Sequence, residues 1–66
     1  MIDRTEMLMK IYQGLWLSAD FENDLEMEFP SQFRALKWNE NHVSDDDLIS
    51  MYDFLNNHPV FNWKEI

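Results

Sequence analysis

Cysteine is absent from this chain of 66 residues, and glycine occurs once, at Gly14. Without thiols there are no disulfide staples and no thiolate metal sites. A single glycine leaves no glycine-rich loop to cradle a phosphate and no G-x-S-x-G elbow for a nucleophilic serine; it also argues for regular structure over loops. Cations are scarce as well. Five Lys and Arg stand against thirteen Asp and Glu, giving a formal net charge of −8 and a pI near 4.3. Positions 11–33 hold no Lys or Arg, and neither do positions 39–62. Such a chain repels nucleic acid and anionic lipid and favours basic partners. Long apolar runs are missing too. Met7 to Leu17 is apolar-rich, but Lys10 and Gln13 interrupt it and Asp3 and Glu6 precede it. It reads neither as a signal-peptide core nor as a membrane span, so a cytoplasmic protein is expected.

What the chain does have is apolar mass. It is 45% hydrophobic and 15% aromatic, with Trp16, Trp38 and Trp63 among the aromatics. That argues against disorder, which needs low hydrophobicity. The length fits one small acidic domain, residues 1–66. A chain this short buries only about 60% of its unfolded surface. Its radius of gyration should be about 11 Å, which leaves little room for a ligand cavity of about 300–1,000 Å³. A protein that works through its outer surface suits this size, and an enzyme does not.

The most regular pattern runs from Asp20 to Phe29. Asp20, Glu22, Asp24, Glu26 and Glu28 alternate with Phe21, Asn23, Leu25, Met27 and Phe29. A period of two marks a half-buried extended strand. A helix competes, since Phe21, Leu25 and Phe29 also recur at every fourth position. A helix would, however, stack Asp20 on Asp24, Glu22 on Glu26 and Asp24 on Glu28, each pair costing a few tenths of a kcal/mol. It would also strand Met27 away from the apolar face. The comparison favours an extended segment at 20–29. As a strand it needs a partner, with 34–38, 60–63 or the same segment of a second chain as candidates.

Elsewhere the pattern is helical. Asp3 and Glu6 form a D-x-x-E capping box, with Ile2 and Met7 as a hydrophobic staple. Met7, Leu8, Ile11, Tyr12 and Leu15 share a face, predicting a helix over about 3–17. Gly14, near its end, costs roughly 1 kcal/mol relative to alanine and marks either fraying or the close approach of another element. Pro30 breaks the acidic stretch, and Ser31 is placed to cap a short helix over 31–39, with Phe33 and Leu36 inward and Trp38 on the opposite side. Ser44, Asp47 and a Val43–Leu48 staple open a helix over 44–57, whose buried stripe is Leu48, Met51, Tyr52 and Leu55. His58-Pro59 ends it. The tail from Val60 to Ile66 is apolar enough to pack back on the helices. The fold class is mainly α, becoming α+β if 20–29 pairs.

No residue set points to catalysis, a cofactor or a metal. Asp20-x-Glu22-x-Asp24 superficially resembles calcium-loop spacing, but Leu25 stands where the loop needs glycine and Ser31 where it needs glutamate. His42 and His58 are isolated. The acids are the candidate binding residues. Along a strand, alternate side chains lie about 6.8 Å apart on one face, similar to the spacing of backbone phosphates, which rise 3.4 Å per nucleotide and are pushed further apart by winding. The ladder of Asp20, Glu22, Asp24, Glu26 and Glu28 could then occupy a groove built for nucleic acid. Glu40, Asp45, Asp46 and Asp47 would extend it, although acids in a first helical turn also serve the helix dipole. Trp38 and Trp63 would add apolar anchoring. In size and charge the chain is similar to small acidic inhibitors of mobile elements, such as phage-encoded DNA mimics. The likeness is one of charge and size, not of motif.

Three non-enzymatic functions fit. The leading one is an inhibitor, or decoy, whose acidic face engages a basic, nucleic-acid-handling protein, with no direct contact to nucleic acid or membrane. The alternative is a structural or regulatory adaptor, self-associating as a homodimer in one version, that binds through exposed aromatics. An apolar surplus supports it, since Met9, Trp16, Trp38, Ile49, Phe54, Phe61 and Trp63 fall off or beside the helix stripes. A third is an antitoxin-like or immunity partner of a basic toxin.

Overall fold

Asp3 opens the first helix as its spacing from Glu6 predicts. In the computed structural model, which describes residues 3–59, its carboxylate accepts the Glu6 N–H at 2.9 Å. Helix α1 spans Arg4–Leu17 and buries Met7, Ile11 and Gly14. Leu8 and Leu15 pack beside that face. The helix stops at Ser18, whose backbone is extended and whose N–H donates to the Gly14 carbonyl at 3.1 Å. The same serine starts the next helix, because its hydroxyl accepts the Phe21 N–H at 3.2 Å. One residue therefore ends α1 and caps α2.

Helix α2 covers Ala19–Glu28, so the extended segment expected at 20–29 is a helix. Among the described residues there is no β-strand. Three effects outweigh the repulsion that argued against this outcome. Ser18 supplies a side-chain cap, worth about 1 kcal/mol. Asp20 and Glu22 lie in the first turn, where the helix dipole favours negative charge. Phe21 and Leu25, four residues apart, become fully buried. That burial stabilises by about 1.5–3 kcal/mol per side chain, against a few tenths for each like-charge pair. Met27 is indeed stranded, and remains 81% exposed.

Phe29 breaks the helical path with φ −131° and ψ 65°, and Pro30 occupies the first turn of α3, Pro30–Trp38. The cap expected from Ser31 is not made, and α3 has no side-chain cap at all. Proline suits the opening turn because its missing N–H would lack a helical partner there anyway. Phe33 and Leu36 face the core and Trp38 faces away, as their spacing predicts. A 3₁₀ turn, Glu40–His42, leads to Val43, which is buried. Ser44 then caps α4, Asp45–Asn57, by accepting the Asp47 N–H at 3.2 Å. Val43 and Leu48 are both buried, in keeping with the staple, and Leu48, Met51 and Leu55 form the core stripe with Tyr52 half-buried. Helix α4 ends at His58, ahead of Pro59.

Helices α1 and α4 run side by side in the same direction. Arg4 meets Asp45 at one end, and Gly14 lies against Leu55 at the other. Gly14 marks a close approach rather than fraying: a Cβ there would come within 2.8 Å of the Leu55 Cδ1 and 3.2 Å of the Phe21 ring. Phe21 and Phe54 stack at 6.0 Å, and Phe29 meets Phe54 edge-on at 5.7 Å. The radius of gyration is 11.1 Å, and the molecule is a slab of 33 × 27 × 16 Å. A slab about two helices thick covers only one side of each helix, so the outer sides carry whatever the core does not use. Ile2, and the tail from Val60 with Phe61 and Trp63, lie outside the described residues.

Candidate protein-docking surface

Coiling the acidic stretch redistributes its charge. At about 100° per residue, positions two apart swing to opposite sides of the helix. Asp20, Asp24 and Glu28 form one row, and Glu22 and Glu26 form another on the far side. Each row meets a basic side chain of the same molecule. The His58 Nε2 lies 2.6 Å from the Asp24 carboxylate, with His58 almost fully buried. The Lys37 ammonium lies 3.6 Å from Glu22. Glu26 shares an open cleft of about 290 Å³ with Pro30, Phe33, Arg34 and Lys37, and Lys37 sits 4.8 Å above the Phe33 ring. Two acids of residues 11–33 thus find a complement within the fold, Glu22 at Lys37 on α3 and Asp24 at His58.

The remaining acids divide in the same way. Arg4, which nothing in the spacing singled out, clamps the segment leading into α4. Its guanidinium donates to the Asp45 carboxylate at 2.7 Å, to the Glu40 carbonyl at 2.7 Å and to the Val43 carbonyl at 2.6 Å. The Glu40 carboxylate accepts a hydrogen bond from the Tyr12 hydroxyl at 2.8 Å, and that hydroxyl also lies 3.2 Å from the Leu36 carbonyl. Burial, then the hydrogen bond to Glu40 and its negative charge, push Tyr12 up to about 12. Asp45, Asp46 and Asp47 occupy the first turn of α4, where carboxylates stabilise the helix end. Asp20, Glu26, Glu28, Asp45 and Asp46 are exposed and Asp47 is half-buried. The helix brings these acids to several sides of the slab and not to one row.

The apolar surplus is more coherent. Phe54 is taken up by its ring contacts to Phe21 and Phe29. Met9, Trp16, Trp38 and Ile49 are left in solvent, joined by Leu17 and Met27. Trp16 and Trp38 are each 86% exposed. Trp38 borders an open cleft of about 280 Å³ with Ser31, Arg34, Ala35 and His42. Trp63 lies outside the described residues. On α1, Met9 and Trp16 occupy the side opposite Met7, Ile11 and Gly14. Their seven-residue interval was the signal that could have singled out this face from sequence.

Among the described residues, no group of three or more His, Asp or Glu is placed to hold a metal ion. None of their helices is long and apolar enough to cross a membrane. No family model matches the chain, and no curated protein or solved structure proved similar to it.

Proposed function

We propose that this chain is a small, non-enzymatic adaptor of the cytoplasm that binds other protein surfaces through exposed aromatic side chains, with its acidity supplying solubility. The observation that carries this reading is the 86% exposure of both Trp16 and Trp38 on a molecule whose described residues already supply a core of ten apolar side chains from Met7 to Leu55. Trp is among the residue types enriched in binding anchors, and truncating such an anchor to alanine costs on the order of 2 kcal/mol or more. The acidic-decoy reading rested on an extended ladder with phosphate-like spacing. In a helix that spacing is lost, and Glu22, Asp24, Glu40 and Asp45 each have a partner within the molecule. Net charge alone still speaks for a basic partner.

Salt separates the two readings. The tagged protein is used to recover partners from its native cell in low and in high salt, and the affinity of the main partner is then measured. Aromatic docking predicts binding nearly insensitive to salt and at least ten-fold weaker for Trp16→Ala or Trp38→Ala. Binding that collapses in salt, survives both tryptophan substitutions and is lost on Glu26→Lys with Glu28→Lys would replace the adaptor with the decoy.

A further inference from the structure

Helix α1 carries a second seam on the side away from the core. Met9 and Trp16 are seven residues apart, which places them within about 20° of one another and about 10 Å apart along the axis. Tyr12, which the spacing put on the core face, is three residues after Met9 and stands at the edge of this seam, its hydroxyl turned to the Leu36 carbonyl and Glu40. Intervals of three and four that sum to seven are those of a two-helix seam. This seam is open: Met9 is 67% exposed, Trp16 86%, Leu17 58% and Tyr12 37%.

Charge indicates what fits it. From Met7 to Ala19 the sequence has no carboxylate, although 13 of its 66 residues are acidic, and its only charged side chain is Lys10. Helix α3 also lacks acids, but Arg34 and Trp38 share its outer side, so two copies apposed there would set Arg34 on Arg34. A strongly basic partner would find on the α1 seam itself no carboxylate, and at its edge only Glu40, whose carboxylate is already held by the Tyr12 hydroxyl. A second copy finds an apolar strip like its own, with Met9 and Trp16 clear of carboxylates and Glu40 at one edge.

We infer that α1 is a self-association face, on which two copies of the chain pair antiparallel about a two-fold axis near Tyr12 and Gln13. This rests on the aromatic-docking reading above and names its occupant. An isologous contact requires each residue's partner to contact it back. Antiparallel pairing about that axis sets Met9 on Trp16, a thioether on an indole, which is a favourable contact. It sets Glu6 near Ala19 and Lys10 near Leu15. Parallel pairing would set Glu6 on Glu6 and Lys10 on Lys10, and would bring the two Asp45–Asp47 turns to one end, since α4 runs parallel to α1. A stable interface covers about 800 Å² per partner, roughly one-sixth of the 4900 Å² accessible here. A single helix of 14 residues, about 21 Å long, offers less. The dimer is therefore transient, with a Kd of about micromolar order or weaker. Two bodies of charge −8 repel, so salt strengthens the pairing by screening. Binding of a basic partner would respond in the opposite sense.

Sedimentation equilibrium of the full chain, from micromolar to millimolar concentration and in low and high salt, tests this. A reversible monomer–dimer equilibrium that tightens with salt and weakens at least ten-fold for Met9→Glu and for Trp16→Glu is expected. Circular dichroism of both variants should be unchanged, because both side chains lie outside the core. The absence of cysteine makes a single introduced thiol a clean probe: Gln13→Cys should oxidise to a disulfide-linked dimer and Glu28→Cys should not. A monomer at every concentration overturns the inference, as does a dimer indifferent to Trp16→Glu. A monomer that still loses a partner on Trp16→Ala sinks only self-pairing, whereas partner binding that survives both tryptophan substitutions sinks the adaptor itself.

Discussion

Helices α2 and α4 begin alike and read differently. Each opens on a serine whose hydroxyl accepts the N–H three residues on, and each has acids in its first turn. Helix α4 is legible because Leu48, Met51, Tyr52 and Leu55 recur at intervals of three and four, which no strand shares. In α2 the apolar residues alternate with acids, and an alternating sequence contains every interval of four as well. The two periods cannot be told apart by counting. They are told apart by the cap and by what the buried pair touches. Ser18 follows an apolar run and has Phe21 rather than an acid at the third helical position, so the usual signature of a start is missing. Phe21 and Leu25 settle the matter only in three dimensions, both fully buried, with Phe21 against Gly14 of α1, Phe54 of α4 and His58.

The largest expected effect tests whether the two helices are equals. Phe21→Ala should destabilise by about 3–5 kcal/mol and Leu48→Ala by about 2–5 kcal/mol, enough to unfold a domain of this size. Urea denaturation followed by circular dichroism measures both. If Phe21→Ala cost under about 1 kcal/mol, α2 would not be the packed helix described here.

Gly14→Ala probes the point where α1 touches both helices. Alanine gains about 1 kcal/mol of helix propensity, but its methyl meets Leu55 and Phe21, both fully buried. Overpacking of a tight core costs about 1–3 kcal/mol. A net loss of about 1 kcal/mol in the same denaturation experiment is expected, and a net gain would show that Leu55 moves aside freely.

The caps should be nearly matched. Ser44→Ala and Ser18→Ala should each cost about 1 kcal/mol. Ser18 also holds the corner between α1 and α2, so its loss should appear as faster amide exchange on both sides of residue 18. Exchange confined to α4 on Ser44→Ala would confirm the contrast.

How much was legible follows the same division. The termini of α1 and α4, the inward Phe33 and Leu36 and the outward Trp38 all follow from local spacing and capping, because neighbours in sequence decide them. The Arg4 clamp on Glu40, Val43 and Asp45, the Asp24–His58 contact and the Tyr12–Glu40 bond do not, since they join residues 28 to 41 positions apart. Charge runs were the most misleading signal. A row of acids looks like a surface template until the fold supplies Lys37 and His58 from elsewhere. The exposed seam of α1 is legible in sequence as surplus apolar residues, and it becomes a face only once the helix sets Met9 and Trp16 within about 20° of each other.

Tyr12 gives a pH signature to the contact between α1 and the 3₁₀ turn. Its pKa is raised to about 12 from an ordinary 10. The folded state therefore holds the phenolic proton more tightly than the unfolded chain. The resulting stabilisation is complete below pH 10 and is lost as pH rises through about 12. Because the side chain is partly exposed, the effect is discounted to about 1 kcal/mol or less. Tyr12→Phe should flatten the fall in stability over that window while leaving the slope at neutral pH unchanged.

The smallest effect separates the two sides of α2. Met27 is the residue that a helix leaves without cover, and it is 81% exposed. In a half-buried strand it would have lain on the inner face with Phe21 and Leu25, and replacing it with a polar residue would then cost about 2 kcal/mol or more. On the helix, Met27→Gln exchanges one good helix former for another in solvent, so stability should move by less than about 0.5 kcal/mol. The substitution changes no charge and touches no cap, which makes a null result informative: only the helical path puts residue 27 and residue 25 on different sides of the chain.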